Sequence, residues 1–214
     1  QFENSVTFRD VFHGLEREPG PVKARLPEGD RASAYAQILA NLGVASERDL
    51  LQCFKSCKIE QFAEWFSSVS GFEGFLFPDT YFFTPASPPK EVLSILLGNF
   101  SRRIEPLLKQ YKSFIDDKGL RQVVIMASLL EREGRDLEEK RVIAGILYRR
   151  LFLGMRLDVD ASVLYAIGDW KAVLTVEHLN TDSAYNTRKF TGLPPGPIAN
   201  PSLESLEAAM SPIA

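Results

Sequence analysis

The sequence is poor in the residues that most often build metal and redox sites. Its 214 residues include two cysteines and two histidines. The histidines, His13 and His178, lie far from each other and from the cysteines along the chain. Zinc sites draw on closely spaced Cys and His ligands, and that spacing is missing. We therefore expect no metal and no cofactor.

The two cysteines, Cys53 and Cys57, are four residues apart in a predicted helix. Regular helix geometry disfavours a disulfide between such positions. We interpret both as small buried side chains, which is how free cysteine usually packs. The pair gives no indication of the compartment in which the protein acts.

The sequence also lacks a charge excess and a long hydrophobic run. It has 25 Lys and Arg against 28 Asp and Glu, a net charge of −3, so no nucleic-acid partner is indicated. No apolar stretch reaches the roughly 18 residues of a membrane-spanning helix, and the first residues do not resemble a signal peptide. Because Gln1 is not a natural start, we expect a fragment of a longer protein.

Several enzyme motifs are missing as well. No G-x-G-x-x-G follows a predicted strand, and no phosphate-binding P-loop occurs. A Ser–His–Asp triad would have to use one of the two histidines, and the sequence has no nucleophile elbow. The groups that remain as candidates for catalysis are acids.

The longest apolar run, residues 123–130, ends directly at Glu131, and Glu133 follows. A carboxyl group buried at this point would have a raised pKa and could act as a general acid. Three apolar residues at helical spacing place Glu131 on a buried stripe; they are Leu120, Val124 and Ala127.

Two interpretations of these glutamates remain open. The run is apolar on all sides, so Glu133, about 200° away on the helix, could face a buried cleft instead of Glu131. Alternatively, both acids simply end a core helix and form ion pairs with nearby arginines, namely Arg132, Arg135 or Arg141.

The N-terminal part predicts a small βαα module. Residues 1–28 are rich in strand and turn signals, and the alternating segment VKARL predicts a strand. A helix is predicted over residues 31–42, and Ser46 can cap a second one that runs to about residue 57. Residues 59–66 form a short amphipathic piece.

Residues 71–85, GFEGFLFPDTYFFTP, are dense in aromatic side chains. One interpretation is a buried strand and turn that joins two domains. The other is an aromatic wall of a cleft with Asp79 and Tyr81 as polar contacts, because sugar rings pack their C–H faces on aromatic rings.

The rest of the chain predicts a larger, mostly helical domain. Pro106 should kink or divide a helix over residues 89–114. Another helix over residues 137–153 carries an apolar stripe, made of Val142, Ile146, Leu147 and Leu151. Two short helices are predicted at residues 162–167 and 176–179.

Residues 183–201 form a segment rich in Gly, Pro and Asn, which we expect to be ordered but irregular. Asn200 is predicted to cap a last helix with Pro201 at its first position. The inner face of that helix would hold Leu203, Leu206 and Met210. Polar residues in or near this segment are further site candidates; they are Asp158, Asp160, Tyr185, Asn186 and Thr187.

Five segments occur in one order along the chain: PEGD before two helices, FEGFLFPDTYFF, ASLLEREG, RVIAGILYRRLFLGMRLDVDASVLY, and SAYNTRKFTGLPPGPIANPSLESLEAAMSP. Together they resemble the YceG-like endolytic murein transglycosylase family over roughly residues 21–214. The family often has S-D-P-T at residues 159–162 and S-P-Y-N-T-Y at residues 183–188. A proline and a tyrosine of those motifs are missing here, whereas Asp160 and residues 185–187 are retained.

The resemblance implies an α+β protein. A small LysM-like βαα module within residues 1–70 would pack on a larger, mostly helical catalytic domain, residues 71–214. The resemblance also implies one N-terminal membrane anchor and action on the periplasmic face of the inner membrane. Peptidoglycan glycan strands would be the substrate, with penicillin-binding proteins as candidate partners and no cofactor.

The resemblance also selects between the two glutamates. The family motif A-S-[IL]-[VL]-E-[KR]-E matches residues 127–133, and its first acid is catalytic, which corresponds to Glu131. This residue would protonate the oxygen leaving N-acetylmuramic acid and then accept the proton of the muramoyl 6-hydroxyl as a 1,6-anhydro ring closes. Substrate-binding residues are expected at Tyr81, Asp160, Tyr185, Asn186, Thr187 and Asn200.

The sequence leaves three other functions to consider. One is a muramidase that uses water, with Asp160 as the second carboxylate. Another is a peptidoglycan-binding module without activity. The family has also carried the label of an aminodeoxychorismate lyase, which would need pyridoxal phosphate on a lysine, and no lysine here lies in an apolar motif.

Overall fold

The computed structural model describes residues 20–62 and 71–213. The strand signals before residue 20 and the second half of the piece at residues 59–66 lie outside the described residues. Glu60–Phe62 form a single 3₁₀ turn. The described residues contain nine α-helices and one two-stranded sheet, and the α+β class is therefore confirmed.

The N-terminal part has the order strand, helix, helix, strand, which we call the βααβ unit. Its elements are β1 (Val22–Arg25), α1 (Ala32–Asn41), α2 (Glu47–Ser56) and β2 (Thr80–Phe83). The strands are antiparallel, with Val22 opposite Phe83. The predicted strand and both helices are confirmed. The second strand comes from the aromatic segment, so the sheet joins residues on either side of the predicted boundary after residue 70.

Most aromatic residues of the segment 71–85 face the core. Phe75 and Phe83 are almost completely buried, whereas Phe82 is 64% exposed. Residues of β2 alternate between exposed and buried, as expected of a strand that covers a core with one face. The interpretation of this segment as a buried strand and turn is confirmed.

Cys53 and Cys57 form a disulfide, so the expectation of unpaired cysteines is wrong. The reason is the point at which the helix ends. α2 stops at Ser56, and Cys57 has an extended backbone with φ −64° and ψ 143°. This turn out of the helix leaves the two Cα atoms 4.6 Å apart, within the range that a disulfide needs.

The larger part of the described chain is helical. Its elements are α3 (Pro89–Gln110), α4 (Lys112–Lys118), α5 (Leu120–Glu133), α6 (Leu137–Phe152), α7 (Asp160–Ile167), α8 (Val176–Leu179) and α9 (Leu203–Met210). One prediction was that Pro106 divides this helix. α3 instead continues through Pro106 and ends before Tyr111. Ile104 and Leu107 flank the proline and are buried, so core packing outweighs the one hydrogen bond that proline removes.

α5 is the central helix of this part, as predicted. All residues from 123 to 130 are buried, and α9 and α6 pack against it. A helix that is apolar on all sides needs such enclosure. Glu131 therefore stands where a fully buried helix meets the surface.

α6 presents a different face to the core from the one predicted. Lys140, Ala144 and Leu147 are buried, and their spacing is that of one helix face. Val142 and Ile146 are 45% and 52% exposed, so placing them in the buried stripe is wrong. The apolar pattern placed Lys140 outside the buried face, whereas in the structure this lysine belongs to it.

The last helix begins later than predicted. Ser202, not Asn200, is the N-cap of α9, and its side chain accepts a hydrogen bond from the Ser205 N–H. Pro201 precedes the cap, and Asn200 is completely buried. Leu206 and Met210 face inward as expected. None of the described helices is long and apolar enough to span a membrane.

Candidate active site

Glu131 lies at the C-terminal end of α5, and its side chain is 9% exposed. One carboxyl oxygen, Oε2, accepts three hydrogen bonds. The Ser202 N–H donates at 2.9 Å, the Ser202 hydroxyl at 2.6 Å and the Ser205 hydroxyl at 2.5 Å. No described group donates to the other oxygen, Oε1. The carboxyl group is thus held by one atom, while the other is available for contact with a ligand.

Two helix ends bring these groups together. α9 packs against α5, so the first turn of α9 meets the last turn of α5. The beginning of a helix carries unpaired N–H groups and a partial positive charge, which favour a carboxylate there. The two serines have two roles. They donate to the carboxyl group of Glu131, and Ser202 also caps α9 by accepting a hydrogen bond from the Ser205 N–H.

Lys140 is the basic partner of Glu131. Its side chain is 5% exposed, and Nζ lies 3.7 Å from Oε2 of Glu131. The sequence had suggested arginines as the partners of this glutamate, but among the described residues its ion pair is with Lys140. A cation buried at this distance stabilises negative charge on the carboxyl group.

The loop after β1 forms another wall of this site. Gly29 has φ 74°, and a Cβ atom there would lie 3.5 Å from Cγ of Glu131. Its N–H donates to the Asn200 carbonyl, and the Asn200 N–H donates to the Asp30 carbonyl, both at 2.9 Å. Glycine is favoured at this position because the backbone is left-handed.

Glu28, on the same loop, is a second acid near Glu131. Partial burial raises its pKa above 4.5, and the negative charge of Glu131 acts in the same direction, while Lys140 opposes it. The second carboxylate suggested by the sequence was Asp160, whereas Glu28 comes from the N-terminal part of the chain.

Glu133 and Asp160 belong to a separate group. Partial burial raises the pKa of Glu133, and Asp160 adds to the rise; the Ala161 N–H and Arg188 act against it. Asp160 begins α7 and forms an ion pair with Arg188, with a side chain 49% exposed. No described contact joins Asp160 to Glu131, so the structure does not pair these two carboxylates.

Three of the predicted substrate-binding residues have their polar atoms engaged within the fold. The Asn186 amide donates to the Leu179 and Thr181 carbonyls at 2.9 Å, and the Thr187 hydroxyl accepts from the Val159 N–H at 3.0 Å. The Tyr81 hydroxyl donates to the Phe77 carbonyl at 2.6 Å. Each is buried, so contact with a glycan stays a prediction for all three.

Asn200 is also buried and connects distant segments. Its side-chain oxygen accepts from the Gly74 N–H at 2.9 Å and the Leu76 N–H at 3.1 Å. Its amide donates to the Asp30 carbonyl and to Oε1 of Glu73, each at 3.1 Å. It lies beside the Glu131 site through its neighbour Ser202, but its own side chain holds the backbone together.

Glu73 was not recognised from the sequence. It is half-buried as a residue, but its carboxyl group is enclosed, and burial raises its pKa to about 7. The Ala32 N–H donates to Oε1 at 2.9 Å, so this distant carboxylate caps the start of α1. The sequence signal that could have identified Glu73 is the presence of an acid inside the aromatic segment.

An aromatic and cationic cluster lies next to the site. The guanidinium carbons of Arg31 and Arg132 stand 4.2 Å and 4.4 Å from the ring centroid of Trp170, close enough for cation–π attraction. The ring centroid of Tyr165 lies 5.0 Å from the guanidinium carbon of Arg31 and 4.8 Å from the ring centroid of Tyr185. Of the predicted binding residues, Tyr185 is the one whose ring lines a cavity with this cluster.

The described residues contain no group of three or more His, Cys, Asp or Glu side chains that could hold a metal ion. The fold and site define a mostly helical α+β protein with a buried carboxyl group held between two helix ends. A family model described as the YceG-like family matches residues 1–214. The chain belongs to this family.

Curated relatives give the family a named activity. The chain is 38% identical over 142 residues to an endolytic murein transglycosylase of Bacillus subtilis (strain 168), covering 65% of this chain and 39% of that protein. An endolytic murein transglycosylase of Streptococcus pneumoniae is 33% identical over 146 residues, which is 65% of this chain and 26% of the relative. The chain thus spans well under half the length of these relatives.

A solved structure shares the fold. The crystal structure of a yceG-like protein from Listeria monocytogenes superposes with a TM-score of 0.76 at 28% sequence identity. The match covers 91% of this chain and 68% of the other. The architecture is therefore common to this chain and the Listeria protein.

Proposed function

We propose that this chain carries the catalytic site of an endolytic murein transglycosylase. Its substrate is the peptidoglycan glycan strand, and the bond cleaved is the β-1,4 bond between N-acetylmuramic acid and N-acetylglucosamine. The B. subtilis and S. pneumoniae relatives, both endolytic murein transglycosylases, support this activity. The observation that carries the proposal is the geometry of Glu131, which also occupies the catalytic position of the family motif.

Glu131 acts first as a general acid. Its Oε2 is held by Ser202 and Ser205, so the proton on Oε1 is the one that can move to the leaving N-acetylglucosamine oxygen. The glycosidic bond breaks as that oxygen is protonated, and positive charge develops at C1 of the muramic acid. Placing the acid correctly before reaction is worth several orders of magnitude in rate.

Glu131 then acts as a base. The muramoyl 6-hydroxyl attacks C1, and its proton passes to Oε1 of the carboxylate, which restores the starting state. The nucleophile is already part of the substrate, so no water is consumed and no second carboxylate is required. Lys140 and the two serines stabilise the carboxylate between the two steps.

Product analysis tests this proposal. Purified glycan strands are digested in heavy-oxygen water, and the new ends are examined by mass spectrometry. We expect ends that are one water molecule lighter than hydrolytic ends, contain no heavy oxygen and have no reducing muramic acid. Incorporation of the label at the new end would rule out ring closure.

Hydrolysis is the second candidate, because Glu28 lies in the electrostatic field of Glu131. A muramidase uses two carboxylates at the scissile bond, and Glu28, unlike Asp160, is an acid whose pKa the charge of Glu131 raises. Labelled ends that disappear in Glu28→Gln would identify Glu28 as the base. If strands bind but no bond is cleaved, the chain is a binding module.

The βααβ unit is proposed as the LysM-like module of this protein. Support comes from the element order and from the antiparallel pairing of β1 with β2. Its second strand would extend the module to residue 83, so that the catalytic domain begins with α3.

The cellular setting is proposed on the same basis. Murein-cleaving relatives act on the cell wall, which supports action outside the cytoplasm. An N-terminal membrane anchor, a periplasmic location and penicillin-binding protein partners follow from the family resemblance alone.

A further inference from the structure

A cavity of about 530 Å³ lies between the βααβ unit and α7. The start of α1, the second half of α2 and the segment 71–73 form one side, and two tyrosines form the other. Its lining combines apolar surface with charged groups; the residues that matter here are Arg31, Leu51, Lys55, Glu73, Tyr165 and Tyr185.

The two basic residues of this cavity are differently placed. Arg31 is fixed, because its Nη2 donates to the Leu164 carbonyl at 3.1 Å and its guanidinium stacks on Trp170. Its Nε is buried and has no acceptor among the described residues. Lys55 is exposed and forms no ion pair within the described part of the chain. A fixed donor and a mobile cation at one cavity attract an anion.

Glu73, the acid in this lining, makes no described hydrogen bond to either cation. Its Oε1 is engaged by the Ala32 N–H and the Asn200 amide. Burial raises the pKa of Glu73, and Arg31 lowers it to a smaller extent. Within the described residues, Nε of Arg31 has no acceptor, and Lys55 forms no ion pair.

The cavity is linked to the catalytic glutamate by one indole ring. Trp170 is in contact with Arg31, which lines the cavity, and with Arg132, which directly follows Glu131. Its Nε1 is a second buried donor without a described acceptor. Buried donors of this kind are rare in native proteins and call for a partner.

Arg31 and Lys55 at the cavity call for an anionic partner, and the chemistry of the substrate provides one, given the proposed function on which this inference rests. The muramic acid whose C1 bond is cleaved carries a peptide on its lactyl group, and that peptide has free carboxylates. We propose that the cavity binds a carboxylate of this peptide through Arg31 and Lys55. Tyr165, Tyr185 and Leu51 provide the surface against which its aliphatic side chains pack.

A binding experiment tests this site without catalysis. The probes are the muramic acid–glucosamine disaccharide with its peptide and the same disaccharide without it, titrated by calorimetry or NMR. We expect tighter binding of the peptide-bearing probe. Lys55→Glu should lower that affinity about fivefold, since it replaces attraction by repulsion at a partly solvated site. Lys58→Glu is the matched control, because Lys58 is exposed nearby but does not line the cavity.

Turnover gives a second measurement. The ratio of kcat/KM on peptide-bearing to peptide-free strands should fall about fivefold in Lys55→Glu and stay constant in Lys58→Glu. Equal binding of both probes by the unmodified chain, or equal losses in both charge variants, would overturn the peptide site. Peptide-dependent binding without any cleavage would support the site and instead contradict the proposed function.

Discussion

Two buried carboxyl groups contact the same short segment, residues 200–205. Glu131 accepts hydrogen bonds from Ser202 and Ser205, and Glu73 accepts one from Asn200. Each acid has one oxygen without a described donor. Glu131 has the buried Lys140 beside it, whereas the pKa of Glu73 is raised by burial and lowered to a smaller extent by the guanidinium of Arg31.

The difference lies in what each acid connects. Glu131 comes from the end of α5 and joins that helix to the first turn of α9, with the buried Lys140 beside it. Glu73 caps α1 and holds Asn200, which in turn holds the backbone at Gly74 and Leu76. Each acid accepts its described hydrogen bonds on a single oxygen, so burial and an oxygen without a described donor are insufficient to identify a catalytic acid. The buried cation, which can stabilise a carboxylate, separates Glu131 from the acid that fastens two segments.

The largest effect is expected for the acid assigned to chemistry. Glu131→Gln keeps the shape of the side chain but removes the proton, so glycan cleavage should fall on the order of 10²-fold or more. Specific activity of the folded protein on purified strands measures it. Glu133→Gln serves as the control, because Glu133 belongs to the separate group with Asp160 and makes no described contact with Glu131. Comparable losses in both variants would end the distinction between these two glutamates.

The segment shared by the two acids should be sensitive to loss of its amide. Asn200→Ala removes the acceptor of the Gly74 and Leu76 N–H groups, both in a buried environment, and should lower the free energy of unfolding by about 3 kcal/mol. Chemical denaturation measures this change. The exposed Asn180→Ala, whose amide donates only to the Val176 carbonyl, should stay within about 0.5 kcal/mol. Equal effects would show that Asn200 does not fasten the segment.

The last effect, no larger than that of Asn200→Ala, concerns the pH dependence of stability. Burial raises the pKa of folded Glu73 from 4.5 to about 7, so the unfolded chain loses this proton first as pH rises. Stability should fall between those two pH values, by up to about 3 kcal/mol, with the loss complete above pH 7. Glu73→Gln cannot ionise, and its free energy of unfolding should fall less than that of the unmodified chain.

The comparison is made by denaturation at pH 5 and pH 8, with the exposed Glu91→Gln as the control. If both variants follow the unmodified chain across this range, the enclosed carboxyl of Glu73 is not responsible for any pH dependence.

Local patterns predicted the helices well. Ser46 caps α2 as expected, and the apolar run before Glu131 is the buried centre of α5. The predicted start of α9 was displaced, because both Asn200 and Ser202 are good capping residues and the burial of Asn200 is set by residues far away. The disulfide is possible because α2 ends at Ser56. Helix ends are the least certain feature of a sequence pattern, so the disulfide was not predicted.

Contacts across long separations were beyond local patterns. β2 pairs with β1 across two helices, and Glu73 and Asn200 are separated by 127 positions. The donors to Glu131 lie 71 and 74 positions further along the chain. The resemblance selected Glu131 as the proposed catalytic acid, but the groups that hold it, Lys140, Ser202 and Ser205, emerged only from the packing of helices.

Gly29 makes the N-terminal loop part of the wall around Glu131. An ordinary side chain at this position would strain the left-handed backbone and come within 3.3 Å of the flexible end of Arg132, while Glu131 would stay at ordinary contact distance. The βααβ unit and the helical part therefore share a wall at this glycine. A chimera that takes its N-terminal unit from another protein should keep a glycine here, so that the loop can follow its left-handed path beside α5.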